Sequence, residues 1–132
     1  MPVADARARI LAGLPTMASE QVALTEAHGR VLAADVAARV TQPPLAVSAM
    51  DGYAVRAADV ANVPVDLKIV GAVPAGGQHN GVVGPGEAVR IFTGAALPDG
   101  ADAIVIQEDT ERDGDNVTIK ESSSAGRYVR KA

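Results

Sequence analysis

The sequence predicts an α+β fold in which an N-terminal helical arm is followed by a small, mostly-β subdomain with a barrel-like sheet. Two observations support this fold class. Apolar residues recur at helical spacing only in the N-terminal part, whereas later they alternate with polar residues or form short runs. These later runs are separated by Gly, Pro, Asn and Asp, which favour turns. The 132 residues suffice for one domain, and an apolar content of 48 % is enough for a core.

Three segments are predicted along the chain. Residues 1–42 are interpreted as the helical arm and a linker, and residues 43–126 as the β subdomain. Pro43-Pro44 marks the boundary between them, because proline cannot continue a helix and favours extended backbone before it. Residues 127–132 are interpreted as the start of a connection to a further domain, since the sequence ends there without a helix cap or a polar tail.

Two helices are predicted in the arm. In the first, apolar residues recur at helical spacing until Gly13 and Pro15 end the pattern. The second is predicted to begin at an N-cap near Thr25 and to continue through Leu32, although Gly29 inside it costs about 1 kcal/mol relative to alanine. Both apolar faces are interpreted as packing faces. The apolar residues of the first helix are Val3, Ile10, Leu11 and Leu14.

Short strands are predicted in the β subdomain wherever apolar residues alternate with polar ones or form a short run. The run at 103–106 is too short for a good helix and is predicted to be a central strand. Asp113-Gly114-Asp115 is a turn signal, so residues 103–121 are predicted to form a β-hairpin. The predicted strands lie at 65–69, 88–92, 103–106 and 117–119.

Composition excludes several classes of function. The net charge of −4 and the lack of any Lys/Arg run argue against nucleic acid as a partner. The absence of cysteine excludes disulfides, thiolate metal sites and cysteine nucleophiles. No apolar stretch approaches the roughly 20 residues that a membrane helix needs, and the N-terminus has no apolar signal core. We therefore expect a cytoplasmic protein without a membrane partner.

Two glycine-containing loops carry the polar side chains that are candidates for chemistry. In Ser48-Ala49-Met50-Asp51-Gly52-Tyr53-Ala54, the carboxylate of Asp51 is backed by glycine and is able to orient a metal ion. The other loop begins at Thr93-Gly94, where a hydroxyl and a backbone amide at a strand end are expected to form an anion cradle. The structural alternatives are a tight turn in the first case and an ordinary strand-loop-strand connection in the second.

The two loops together resemble a known family. The segment 48–54, preceded by Pro43-Pro44, is similar to one signature of the molybdopterin molybdenumtransferases, bacterial relatives of the gephyrin C-terminal domain and of the plant molybdenum-insertion protein. Pro85-Gly86-Glu87-Ala88-Val89-Arg90-Ile91-Phe92-Thr93-Gly94-Ala95 is similar to a second signature, and Gly29-Arg30-Val31-Leu32-Ala33 to an early helix of the family. The resemblance runs nearly the full length and in the same order.

The resemblance implies a transferase of molybdenum cofactor biosynthesis, which inserts molybdenum from molybdate into adenylylated molybdopterin, releases AMP and uses Mg²⁺. By this resemblance Asp51 and Thr93 are expected to be catalytic residues that face the substrate cleft. Asp51 is expected to bind Mg²⁺ or its water, and the alternative is that it orients a basic residue supplied elsewhere. Thr93 and Gly94 are expected to donate hydrogen bonds to a phosphate or molybdate oxygen. Ser48 is a further candidate for cofactor binding, and Glu108 for support of the site.

The family resemblance also bears on what surrounds this module. It implies a homodimer in which the active site lies between this module and the large α/β domain of the partner subunit, and the molybdopterin adenylyltransferase is a further candidate partner. We expect that large domain and the C-terminal β domain of the family to be lacking here, and the isolated chain to be inactive. The alternative is a non-catalytic pterin-binding or scaffolding and dimerisation module. At Leu45-Ala46-Val47 many family members carry Phe-Asp-Asn, so a carboxylate and an amide beside the cleft are lost.

Overall fold

The computed structural model describes residues 1–132. The chain forms two compact units, Met1–Ala38 and Arg39–Ala132. The first unit contains helix α1, Val3–Ala12, followed by Gly13, and none of its side chains is buried. The predicted first helix is therefore confirmed. No helix of the structure is both long and apolar enough to cross a membrane.

The predicted second helix is wrong. A single 3-10 turn, Leu24–Glu26, is present where a helix through Leu32 was expected. Gly29 has a φ of +77°, which lies in the left-handed region and interrupts any α-helix. The apolar residues beyond it are exposed, so there is no burial to offset the low helix propensity of glycine.

The second unit is built on a mixed six-stranded sheet in the order β5-β2-β4-β3-β7-β6, and a separate pair of short strands joins β1 to β8. Strands β3 and β4 are parallel, and the other neighbours in the sheet are antiparallel. The sheet curls into a half-barrel, so the predicted α+β class is confirmed. The strands are β1 Val47–Ser48, β2 Gly52–Val55, β3 Val65–Val73, β4 Glu87–Ile91, β5 Ala103–Ile106, β6 Thr110–Asp113, β7 Asn116–Ile119 and β8 Val129–Arg130.

Two predictions about strand pairing need correction. Strand β5 lies at one edge of the sheet and not at its centre, although its apolar run is buried, because it pairs only with β2. The hairpin at Asp113-Gly114-Asp115 joins β6 to β7 and does not include β5. Strand β6 has the sequence Thr-Glu-Arg-Asp and is mostly exposed, so it carries no apolar alternation that reveals a strand.

The core of the sheet is aliphatic. Alternate residues of β2 enter different clusters: Tyr53 and Val55 pack in one, and Ala54 in the other. Because β2 is buried along its whole length, its backbone is fixed by neighbours on both sides and on both faces. This rigid strand begins at Gly52, immediately after Asp51.

Candidate active site

The ends of three strands, β2, β4 and β5, meet at one end of the half-barrel. Gly52, the first residue of β2, pairs with Ile91 at the end of β4 and with Ile106 at the end of β5. Because β2 is antiparallel to both neighbours, the segment before β2 lies beside the segments that follow β4 and β5. The sheet thereby brings together Asp51, Thr93 and Gln107, which are far apart in the sequence.

Asp51 and Thr93 form a direct pair. Oδ1 of Asp51 accepts one hydrogen bond from the backbone N–H of Thr93 at 2.8 Å and another from its hydroxyl, also at 2.8 Å. Oδ2 of Asp51 accepts no hydrogen bond from the chain, and Thr93 is exposed. The two predicted residues are thus close together, with one carboxylate oxygen free to bind a ligand.

The electrostatics of this pair favour the ionised carboxylate. The backbone and side-chain hydrogen bonds from Thr93 lower the pKa of Asp51 below its ordinary value of 3.8, and the charge of Arg90 acts in the same direction. Asp51 is therefore a carboxylate at neutral pH. A carboxylate of this kind attracts cations and repels a bare phosphate.

The Thr93 hydroxyl contributes to the lowered pKa of Asp51. Thr93→Val removes the hydroxyl but keeps the stronger backbone donor, so the pKa of Asp51 is expected to rise partway towards 3.8. Because the folded pKa is lowered, the Asp51–Thr93 contacts stabilise the fold above pH 3.8, and this contribution is lost as the pH falls through the folded pKa. Carboxyl ¹³C NMR titration of Asp51 measures the shift. An unchanged pKa in Thr93→Val would contradict the observed pairing.

The predicted hydrogen-bond donors are already engaged within the chain. The Thr93 hydroxyl donates to Asp51, and the Gly94 amide donates to the carbonyl oxygen of Ser48 at 2.8 Å. The anion cradle expected from these two donors is therefore not formed in this structure. What Thr93 still offers to a ligand is the pair of lone pairs on Oγ1, which suit a cation better than an anion.

Ser48 and Glu108 occupy different environments. Ser48 is only 1 % exposed, and its hydroxyl donates to the Met50 carbonyl at 2.6 Å while accepting the Met50 amide at 3.3 Å. Ser48 thus shapes the loop that carries Asp51, and its hydroxyl does not reach the surface. Glu108 follows β5 and is exposed, with one long contact of 3.4 Å from the Gln107 amide group.

Loss of the Ser48 hydroxyl should destabilise the loop. Ser48→Ala removes the part-buried hydrogen bonds between the Ser48 hydroxyl and the Met50 backbone, and we expect a loss of about 0.5–1.5 kcal/mol in the free energy of unfolding. Ser124→Ala is the control, because that side chain is exposed and makes no hydrogen bond. Urea unfolding of both variants measures the difference. Equal stability of the two variants would contradict the role assigned to Ser48.

Two residues at this end of the half-barrel, Arg90 and Gln107, were not predicted from the sequence to belong to the site. Arg90 donates to the Gly52 carbonyl at 2.8 Å and to Oε1 of Gln107 at 2.7 Å. The backbone amide of Gln107 donates to the Asp51 carbonyl at 3.1 Å. One signal in the sequence was available, since Arg90 is a charged residue between the apolar Val89 and Ile91 of a predicted strand.

The donor set fits a magnesium site that a ligand completes. No three His, Asp or Glu side chains lie close enough together to form a metal site by themselves. Mg²⁺, however, is usually held by only one or two carboxylates, together with waters and the phosphates of a substrate. Oδ2 of Asp51 and Oγ1 of Thr93 supply one such carboxylate and one neutral oxygen.

A cavity of about 400 Å³ adjoins Gly94. Leu45 and Val47 belong to its wall, so the Leu45-Ala46-Val47 segment does lie near the second loop. Because Leu45 and Val47 are apolar, Arg130 is the single charged residue that lines the cavity. The full lining is Pro43, Pro44, Leu45, Val47, Gly76, Gly77, Gly94, Ala96 and Arg130.

Residues 1–132 match the family described as MoeA N-terminal region (domain I and II), and the chain belongs to it. Among its relatives, a molybdopterin molybdenumtransferase of Nostoc sp. is 42 % identical over 139 residues, covering 98 % of this chain and 32 % of the relative. Molybdopterin molybdenumtransferase 2 of Mycobacterium tuberculosis is 42 % identical over 115 residues, covering 84 % of this chain and 28 % of the relative.

A solved structure agrees with this assignment. The molybdopterin biosynthesis moeA protein of Pyrococcus horikoshii OT3 superposes with a TM-score of 0.72 at 36 % sequence identity, over 85 % of this chain and 31 % of that protein. The chain therefore spans about a third of the length of the relatives that it matches.

Proposed function

We propose that this chain is the N-terminal part of an enzyme of molybdenum cofactor biosynthesis, which inserts molybdenum from molybdate into adenylylated molybdopterin and releases AMP. The observation that carries the proposal is the Asp51–Thr93 pair, in which two residues from separate signatures meet at 2.8 Å and leave Oδ2 free. The names of the relatives, molybdopterin molybdenumtransferases, support the same reaction.

Within this function Asp51 is a ligand for Mg²⁺, and Thr93 assists it. The substrate is a polyanion that an ionised Asp51 would repel, so the contact between them requires a cation. When bound, Mg²⁺ neutralises charge on the phosphate oxygens of the substrate. Thr93 fixes the carboxylate with two hydrogen bonds, which orients Oδ2 before the ligand arrives.

The remaining groups of the active site come from elsewhere in the assembly. Within this chain the site offers the Asp51 carboxylate, and the two expected donors to an anion, the Thr93 hydroxyl and the Gly94 amide, are engaged in hydrogen bonds within the chain. We propose that the partner subunit of a cytoplasmic homodimer supplies the other wall, and that the isolated 132-residue chain is inactive. A complex with the molybdopterin adenylyltransferase would deliver the substrate directly.

A second candidate function is a non-catalytic dimerisation or scaffolding module. It is favoured by one observation, namely that helix α1 buries none of its side chains and leaves Val3 85 % and Ile10 65 % exposed. Exposed apolar faces of this kind are typical of interaction surfaces.

An AMP-release assay distinguishes these functions. The full-length gene product is incubated with adenylylated molybdopterin and Mg²⁺, with and without molybdate, in parallel with the 132-residue chain. The transferase predicts molybdate-dependent release of AMP by the full-length protein and none by the chain. Absence of molybdate-dependent release from the full-length protein would support the scaffolding module instead.

A further inference from the structure

Arg90 on β4 connects the start of β2 to the turn that follows β5, next to the Asp51–Thr93 pair. It lies on β4 opposite Tyr53 of β2 and is half-buried. One guanidinium nitrogen, Nη1, donates to the Gly52 carbonyl at 2.8 Å, and the other, Nη2, donates to Oε1 of Gln107 at 2.7 Å. The planar fork of arginine permits two such bonds in fixed directions, which a lysine ammonium cannot reproduce.

Two aromatic rings hold the guanidinium in this place. Its central carbon lies 4.5 Å from the centre of the Phe92 ring and 5.3 Å from that of the Tyr53 ring. Both distances are within the range of a cation–π interaction. Two of the three aromatic residues in the sequence therefore contact this one arginine.

The contacts of Arg90 surround the backbone of Asp51 without touching its carboxylate. Gly52, which follows Asp51, is bound directly by the guanidinium. Gln107, whose side chain is also bound, donates its backbone N–H to the Asp51 carbonyl at 3.1 Å. The backbone of Asp51 is therefore held from two sides through Arg90, and its side chain is held separately by Thr93.

We infer that Arg90 is a positioning residue for the reaction proposed above, which holds the Asp51-Gly52 turn against the ends of β4 and β5 so that Oδ2 of Asp51 points to its ligand. The inference rests on the proposed function for its consequence in catalysis. The geometric part concerns this chain alone, and it is measurable without turnover.

The test combines NMR of this chain with kinetics of the full-length gene product. Arg90→Met removes both hydrogen bonds and the charge, whereas Arg90→Lys keeps the charge but loses the fork. Gln107→Leu removes only the hydrogen bond between Arg90 and the Gln107 side chain, which is exposed. This variant replaces the Arg90 variants in the test if they do not fold. The control is Arg112→Met on β6, at the opposite edge of the sheet, where the arginine donates to Gly114.

Positioning by Arg90 predicts the same pattern in all three test variants and not in the control. The Thr93 amide proton, now hydrogen-bonded to Asp51, should move upfield, and the Mg²⁺ concentration for half-maximal AMP release should rise about 10-fold or more, with a smaller change in kcat. Full rescue by Arg90→Lys, or an unmoved Thr93 amide proton in Arg90→Met, would overturn the inference. If wild-type protein releases no AMP, the proposed function fails, while the Thr93 resonance still decides the role of Arg90.

Discussion

Replacing Gly52 by alanine is expected to destabilise the β subdomain by at least about 3 kcal/mol. A Cβ atom at this position would lie 2.0 Å from the carbonyl oxygen of Val105 and 2.9 Å from Cα of Ile106. Both are backbone atoms of strand β5 or its end, so no flexible side chain can move aside. Strand β2 is also paired with β4, and relief of the clash requires breaking the pairing of a buried strand.

Urea unfolding of this chain measures the effect, with Gly13→Ala as the matched control. The nearest atom to an added Cβ at Gly13 is 3.7 Å away, and the backbone there is right-handed helical, so alanine is accommodated. We expect Gly13→Ala to unfold at nearly the wild-type urea concentration and Gly52→Ala to unfold far below it. Similar midpoints for the two variants would show that β2 and β5 are not as close as the structure places them.

Asp51→Asn is expected to lower the rate of AMP release by the full-length gene product by about 100-fold or more, because even loss of a residue that only orients a metal ligand costs about 10–100-fold. Asparagine keeps a side-chain oxygen that can accept both hydrogen bonds from Thr93, so the fold of the loop should persist. What is lost is the negative charge that holds a cation. The loss should therefore appear in activity and in Mg²⁺ dependence, with little change in the urea midpoint.

The chain offers a close control for this substitution. Asp66 on β3 accepts a hydrogen bond from the Thr118 hydroxyl at 2.6 Å, so it is an exposed Asp–Thr pair of the same chemistry outside the candidate site. Asp66→Asn should leave AMP release unchanged. Equal losses in Asp66→Asn and Asp51→Asn would point to a general effect of charge, and full activity of Asp51→Asn would remove Asp51 from the mechanism.

Local sequence signals predicted the elements whose residues follow a simple pattern. Helix α1 and strands β3, β4 and β7 have apolar residues at the spacing of their secondary structure, and the turn at Asp113-Gly114-Asp115 was identified by its glycine. The second helix failed because Gly29 adopts a left-handed conformation. Strand β6 was missed because it is an exposed edge strand whose residues are all polar, so it shows no alternation of apolar and polar residues.

The candidate site was predictable in its residues but not in its contacts. The resemblance to the family selected Asp51 and Thr93, and the structure shows them bonded to each other. That contact depends on the antiparallel pairing of β2 with β4, which no local pattern encodes. For the same reason the sequence did not reveal that Gly94 and Ser48 bond to each other through the backbone, or that Arg90 reaches Gln107.

The most direct test of the account is calorimetric titration of the full-length gene product with adenylylated molybdopterin at several Mg²⁺ concentrations, for the wild type and for Asp51→Asn. We expect wild-type affinity to increase with Mg²⁺ and the affinity of Asp51→Asn to depend on Mg²⁺ much less. The same Mg²⁺ dependence in both proteins would contradict the assignment of Asp51 as the residue that joins the metal to this half of the site.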